Sequence, residues 1–402
     1  MLSFDDAWRQ LLALAPTVAT ERVGLDDACG RVLREEVLSP FDLPAFDYSA
    51  MDGYAVNTGA FVGAGPWRLP VRGESKTGLP PTPLEAGAAC RIFTGAEVPD
   101  GADAIVMQEQ VDVDDGHATF RERPPAGAHT RRRGADLAKG ALALSPGTRL
   151  APSHVALAAA TDRAWLDVSR RPVVTVLGTG DELRAPGSTA APGTIPESNA
   201  VALRAMARQA GATARVAPFV RDDAAATVRA IEEALVATDV LVTVGGVSVG
   251  SHDLVRPALE QAGVKLEFWK VALKPGKPLA VGRRGPVLVL GLPGNPASAM
   301  ITFALFGLPL LRAMQGDASP MPPRAPARLG RSIKREAGRT EFLRAEVSRR
   351  EGTLVATPLA NQASGAVTSM AQADALVVVA AERGSVAEGE MVEILWLREL
   401  GA

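Results

Sequence analysis

Three segments of this 402-residue chain place glycines beside groups that bind ions. They are GTGDEL (Gly178 to Leu183), GGVSVGSHD (Gly245 to Asp253) and GLPGNP (Gly291 to Pro296). In each, Gly residues such as Gly245, Gly246, Gly250 and Gly294 remove side chains where a ligand or another backbone would approach. Asp181, Glu182 and Asp253 bring carboxylates to these loops, and Asp222 in Arg221-Asp222-Asp223 adds another. Such carboxylates hold a hard cation such as Mg²⁺ through oxygen ligands, or act as general bases. The plainer reading is a helix cap, which fits Asp253 and Asp222 equally well. Asn295 followed by Pro296 is a cap and first-turn pair, and a glycine-rich turn that opens a helix offers backbone N–H groups to an anion. In WKVALKPGKP, Lys270, Lys274 and Lys277 flank a turn. They suit an oxyanion or phosphate, or form a solvated hairpin.

Two further groups lie in the first half. SAMDGYAV puts Asp52 before a glycine, and RIFTGAEVPDGADAIVMQE ends a strand at Thr94-Gly95, both of which a turn explains locally. RRRGAD, which carries Arg131 and Asp136, reads on its own as a charged surface loop.

The elements that must position these residues follow from periodicity. From Arg171, strands PVVTVL, ARVAPFV, DVLVTV and PVLVLG alternate with helices expected at Asn199 to Gln209, Asp222 to Thr238 and Pro296 to Gln315. Strands separated by helices of this length predict βαβ units and a parallel sheet, with ligands at the strands' carboxyl ends. Ser3 caps a first helix carrying Phe4, Trp8, Leu11 and Leu12 at helical spacing; others are expected at Asp26 to Glu36 and Pro152 to Ala160. Between Ser39 and Leu137 the texture turns to Gly, Pro and short apolar bursts, the pattern of a small β-rich insertion. Gly316 to Ala327 reads as a proline-stiffened linker, and the alternating stretch after it as a small β-barrel or sandwich.

Composition excludes several classes. A net charge of -2 argues against nucleic acid as main partner, because phosphate neutralisation needs an excess of Lys and Arg. Cys29 and Cys90 alone rule out a disulfide scaffold or a four-thiolate zinc site. MLSFDDAW has no apolar signal core, and the apolar run from Ala297 to Leu311 reads as broken by Pro309, so the expectation is a cytoplasmic protein with no membrane span.

SAMDGYAV, RIFTGAEVPDGADAIVMQE, RRRGAD, TGDEL, GGVSVGSHD, KPGKP, GLPGNP and QASGAVTSMAQADAL, in this order, resemble the molybdopterin molybdenumtransferase family, the MoeA type that also forms the E domain of gephyrin. The resemblance covers essentially the whole chain. It implies a multidomain α/β protein: a discontinuous helical stem (1–45 with 138–170), an inserted β-rich module (46–137), a central doubly wound parallel-sheet molybdopterin-binding domain (171–318) and a C-terminal β-barrel (326–402). It also implies a homodimer and the last step of molybdenum cofactor synthesis, in which adenylylated molybdopterin and molybdate give the cofactor and AMP with Mg²⁺. A molybdopterin adenylyltransferase and the apo-molybdoenzymes are the further partners it suggests.

Position by position, the family's important residues match Asp52, Thr94, Asp136, Glu182, Asp222, Asp253, Lys270, Lys274, Pro293 and Pro296. The resemblance assigns Glu182, Asp222 and Asp253 to Mg²⁺, its waters and the pyrophosphate end of the substrate. Lys270 and Lys274, with Arg131, offset molybdate and phosphate charge. Gly245, Gly246 and Gly250 let the pterin lie against backbone, and Ser248, Lys277, Gly294 and Asn295 complete the binding set. Two positions depart from the family: Ser251-His252 stands where many relatives have a glutamate, and Glu197 where aspartate is commoner. The rival readings are a molybdopterin adenylyltransferase, which shares the GGVSVG type of loop, and a carrier or scaffold for the finished cofactor.

Overall fold

In the computed structural model, which describes residues 1–246 and 254–397, Ser3 accepts the Asp6 N–H at 3.1 Å and starts helix α1 (Phe4–Leu14). Helical spacing puts Phe4, Ala7 and Leu11 on one face, and all three are buried. The Phe4 ring meets Phe306 at 5.5 Å and Phe342 at 5.0 Å, so one side chain of the first turn joins the core of the central domain to the C-terminal barrel.

The helix expected at 26–36 does not form. Leu25–Asp27 makes a single 3₁₀ turn, Gly30 takes φ 77°, and Val32 and Leu33 then bridge Arg149 and Val168. A left-handed glycine ends a helix, and buried branched side chains are better used in extended pairing. The stem therefore combines α1 and helix α2 (Pro152–Ala160) with two antiparallel ribbons, Thr20–Gly24 with Trp165–Ser169 and Val37–Leu38 with Leu142–Leu144. Inserted between its halves is a six-stranded β-sheet module packed around Tyr54, Phe61 and Phe120.

The central sheet contains β1 (Val173–Gly178), β2 (Thr213–Val216), β3 (Val240–Val244), β4 (Lys265–Trp269), β5 (Ala280–Arg284) and β6 (Val287–Leu292), in the order β2-β1-β3-β6-β5-β4. The first four are parallel; β5 runs antiparallel to both neighbours and makes one edge a hairpin. Helix α3 (Asn199–Gln209) and the helix after β6 cover one face, while α4 (Ala224–Leu235) and α5 (Val255–Gln261) cover the other. The chain leaves β1 toward β2 on one side and returns to β3 on the other. A crevice opens at the carboxyl ends of strands where the order reverses in this way.

The helix after β6 corrects another expectation, since Pro309 does not break it. It runs as α6 (Pro296–Thr302), a π-turn (Phe303–Gly307) and α7 (Leu308–Met314). A helical proline lacks the N–H for the carbonyl four residues back and crowds it. Here that carbonyl is Leu305 O, the π-turn widens the backbone around it, and the Trp8 Nε1–H of α1 donates to it at 3.1 Å. Among the described residues this is the helix long and apolar enough to cross a membrane, and 83% of it is buried inside the protein.

The barrel uses β7 (Arg324–Leu329), β8 (Thr340–Arg350), β9 (Thr353–Pro358), β10 (Ala375–Val379) and β11 (Met391–Trp396); β10 pairs back onto β8 and closes it. The linker is shorter than its prolines suggest, because Arg324 to Ala327 already belong to β7.

One carboxylate ties stem to sheet. Asp239, just before β3, accepts Nη1 and Nη2 of Arg170 at 2.7 Å each and the Val173 N–H at 2.7 Å. Burial pushes this carboxyl up, but the Arg170 hydrogen bonds, the Val173 N–H and the Arg170 charge outweigh it and hold the pKa below its ordinary value. A carboxyl depressed in the folded state contributes stability that is complete above the unfolded value of about 3.9 and is lost as pH falls through the folded value. Asp239→Asn is expected to lower the unfolding free energy by about 2 kcal/mol at neutral pH. In denaturant titrations that deficit should shrink below about pH 4; a deficit that does not change with pH would refute the ionic role.

Candidate functional site

The loops after β1, β3 and β6 close on one cavity of about 440 Å³, lined by Thr179, Gly180, Glu182, Glu197, Asn199, Asp222, Gly245, Gly246 and Pro293 to Pro296 among others. Larger clefts exist, 570 Å³ in the inserted module and 590 Å³ beside α4, but they contain none of the candidate carboxylates and neither sits at the sheet's switch point. The switch-point cavity brings Glu182, Asp222, Gly245, Gly246, Pro293, Gly294, Asn295 and Pro296 together. Ser248, Gly250 and Asp253 lie outside the described residues.

Gly245 and Gly246 shape the rim. Gly245 has φ 94°, and a Cβ there would sit 2.7 Å from Thr179 O; Gly246 has φ 61°, and a Cβ would overlap Val255. Only glycine lets the β3 loop pass between the β1 loop and α5. The Glu182 carboxylate folds over Gly180, where a Cβ would collide with it. Asp181 Oδ1 accepts the Asp222 N–H at 3.1 Å and draws that loop toward the same rim.

Asp222 is not the cap of α4. Asp223 is, accepting the Ala226 N–H at 2.6 Å. The Asp222 and Glu182 carboxylates accept no hydrogen bond among the described residues, and both line the cavity. The described residues hold no cluster of three such side chains able to bind a metal ion. Glu197, the conservative departure, is 6% exposed and spent on the Ala200 N–H at 2.8 Å in the first turn of α3.

The start of α6 differs from its expected form. Asn295 makes no side-chain cap, and the Ala297 and Ser298 N–H groups donate to Ser364 O of the barrel at 2.9 and 3.4 Å. Donors read as an anion site are thereby occupied. From the sequence Asn199 is legible only as a helix start. Its Nδ2 donates to Gly294 O at 2.8 Å, and its Oδ1 is buried with no partner among the described residues. A buried acceptor without a protein partner is open to a water or a ligand donor; the PESN segment running straight into α3 is the signal the sequence offers.

The lysine loop does not line the cavity, although Pro278, next to Lys277, does. Nor is it a solvated hairpin. Leu2 bridges Val271 and accepts the Ala272 N–H at 2.8 Å, while Leu273–Lys274 pairs in parallel with Thr340 and Glu341 of β8. Lys270 turns the chain there with φ 68°. Stem, central domain and barrel all meet on this loop.

In the inserted module Asp52 Oδ1 accepts both the N–H and the hydroxyl of Thr94 at 2.7 Å. The Thr94 N–H, its hydroxyl and the Arg91 charge hold the Asp52 carboxyl below its ordinary pKa against slight burial. Arg132 and Arg133 pair with Asp47 and Asp42 at 2.6 Å each and fix the RRRGAD loop, leaving Arg131 and Asp136 exposed. Asp52, Thr94, Arg131 and Asp136 do not line the central cavity of their own chain.

A doubly wound sheet with its cavity where the strand order reverses defines an α/β ligand-binding domain, and residues 175–313 match the family model described as a probable molybdopterin binding domain. Residues 2–161 match the MoeA N-terminal region (domain I and II), and 326–397 the MoeA C-terminal region (domain IV). The chain belongs to the molybdopterin molybdenumtransferase (MoeA) family. It is 35% identical over 399 residues to the molybdopterin molybdenumtransferase of Haemophilus influenzae, covering 98% of each chain. It is 37% identical over 381 residues to molybdopterin molybdenumtransferase 2 of Mycobacterium tuberculosis, covering 92% of this chain and 94% of that one. The crystal structure of the Pyrococcus horikoshii molybdopterin biosynthesis MoeA protein superposes with a TM-score of 0.82 at 32% identity, covering 98% of this chain and 99% of that one.

Proposed function

We propose that this chain catalyses the last step of molybdenum cofactor synthesis: adenylylated molybdopterin and molybdate bind, molybdenum is ligated by the molybdopterin, and an oxygen nucleophile, water or a molybdate oxygen, attacks a phosphoanhydride phosphorus and releases AMP. The observation that carries the reading is the switch-point cavity, where two carboxylates and an amide oxygen, each without a partner among the described residues, face glycine-lined backbone. The carboxylates Glu182 and Asp222 fit Mg²⁺, which reaches proteins through one or two carboxylates with waters and substrate phosphates. When bound, that ion supplies charge neutralisation for the pyrophosphate. The chain's own groups do the remaining work. Asn199 Oδ1 accepts a donor of the bound substrate, the loops at Gly245 and Pro293 hold it against the rim, and Lys270 and Lys274 with Arg131 offset oxyanion charge.

The proposal includes a two-fold homodimer in which the inserted module of one subunit faces the central domain of its partner. What supports it is the separation of Asp52 and Thr94 from the cavity of their own chain. Incubation with adenylylated molybdopterin, molybdate and Mg²⁺ tests the activity. AMP release that requires both substrates and falls on chelation is expected; ATP consumption with plain molybdopterin instead would identify an adenylyltransferase.

A further inference from the structure

Lys274 lies on the two-residue strand that pairs with β8 in the register Lys274 to Glu341. Its Nζ is 2.7 Å from Glu341 Oε1. The two partners differ in freedom, for the lysine side chain is 58% exposed and the glutamate side chain only 9%. The second carboxylate oxygen of Glu341 lies 3.6 Å from Nε of Arg335, whose own side chain is 5% exposed. That guanidinium is fixed in turn by donation to the carbonyls of Val379 and Ala380 at 3.1 Å and of Arg339. The Arg335 Nε–H itself donates to Glu336 O at 3.2 Å, so Glu341 is held in the barrel by its burial and by the charge of that guanidinium, and offers one oxygen outward.

We propose that Glu341 is a positioning residue for Lys274, holding its ammonium at the mouth of the lysine loop so that its remaining N–H donors meet an oxyanion. The inference rests on the reading that Lys274 contacts molybdate, and it adds a barrel residue that the sequence did not single out. Two cations and one carboxylate leave a net charge of +1, so the trio still attracts an anion. A lysine carries four flexible methylenes, and restraining them before the ligand arrives removes entropy that binding would otherwise lose. An exposed ion pair of two mobile side chains does little of this. Here one partner is already buried, so pairing restrains chiefly the lysine.

The test is the molybdate dependence of AMP release by the full-length enzyme. Glu341→Gln preserves volume and is expected to raise the apparent KM for molybdate about tenfold, the loss of one charge-assisted hydrogen bond, with kcat changed by less than about twofold. Glu341→Asp should recover part of the loss, and it keeps the experiment decisive if the Gln variant fails to fold. In a Lys274→Ala background, Glu341→Gln should add nothing, because it acts through that lysine. A Lys274→Ala variant with unchanged molybdate KM would overturn the reading of Lys274 and the role of Glu341 together. If Lys274→Ala raises the KM while Glu341→Gln leaves it alone, or if the two losses simply add, the positioning role fails and the lysine reading survives.

Discussion

A dimer of one Asp52→Ala chain and one Glu182→Ala chain is expected to retain about half of wild-type turnover, although either variant alone is nearly inactive. The cavity that contains Glu182 and Asp222 is built by the central domain, whereas Asp52, clamped by Thr94, belongs to the inserted module and does not reach it. If a two-fold axis brings the module of one subunit to the cavity of the other, the heterodimer has one site with both lesions and one with neither. Random association gives half heterodimers, so an unfractionated mixture should recover about a quarter of wild-type activity. Co-expression with two different tags, purification of the doubly tagged species and assay of AMP release decide the matter. An inactive heterodimer would mean that each site is assembled within one chain.

Neighbouring aspartates give the second large effect. Asp222→Asn is expected to lower turnover by about 100-fold, the scale on which loss of a group supporting a catalytic ion acts, and to leave the melting temperature unchanged. Asp223→Ala is expected to do the reverse, costing about 1 kcal/mol of stability through loss of the α4 cap while turnover survives. The contrast follows from which carboxylate accepts the Ala226 N–H. Paired melting curves and AMP-release assays read both quantities. Loss of stability in the Asp222 variant would return that residue to the role of a cap.

What the sequence made legible was local. Ser3, Pro152 and Asn199 mark helix starts through signals contained in a few residues, and α1, α2 and α3 begin at or beside them. The strands ending at the cavity were legible for the same reason, since a buried parallel strand is a continuous apolar run. What was not legible depends on distant partners. Val32 and Leu33 are drawn into bridges by Arg149 and Val168. The first-turn N–H groups of α6 are occupied by Ser364 O of the barrel. The lysine loop is set by Leu2 and Thr340. At Asp222 the difficulty was different, because two adjacent aspartates fit the same cap and only geometry distinguishes them.

The hydrogen bond from Trp8 to Leu305 has a consequence for how the protein is made. Its ends are 297 residues apart. At about 5–20 residues per second, ribosomes need roughly 15–60 s to travel that distance. During that interval the surface against which Phe4, Ala7 and Leu11 pack does not yet exist. Phe342, the second ring against Phe4, is translated later still. Docking of α1 is therefore among the last events of folding, because it waits for the π-turn carbonyl to leave the ribosome.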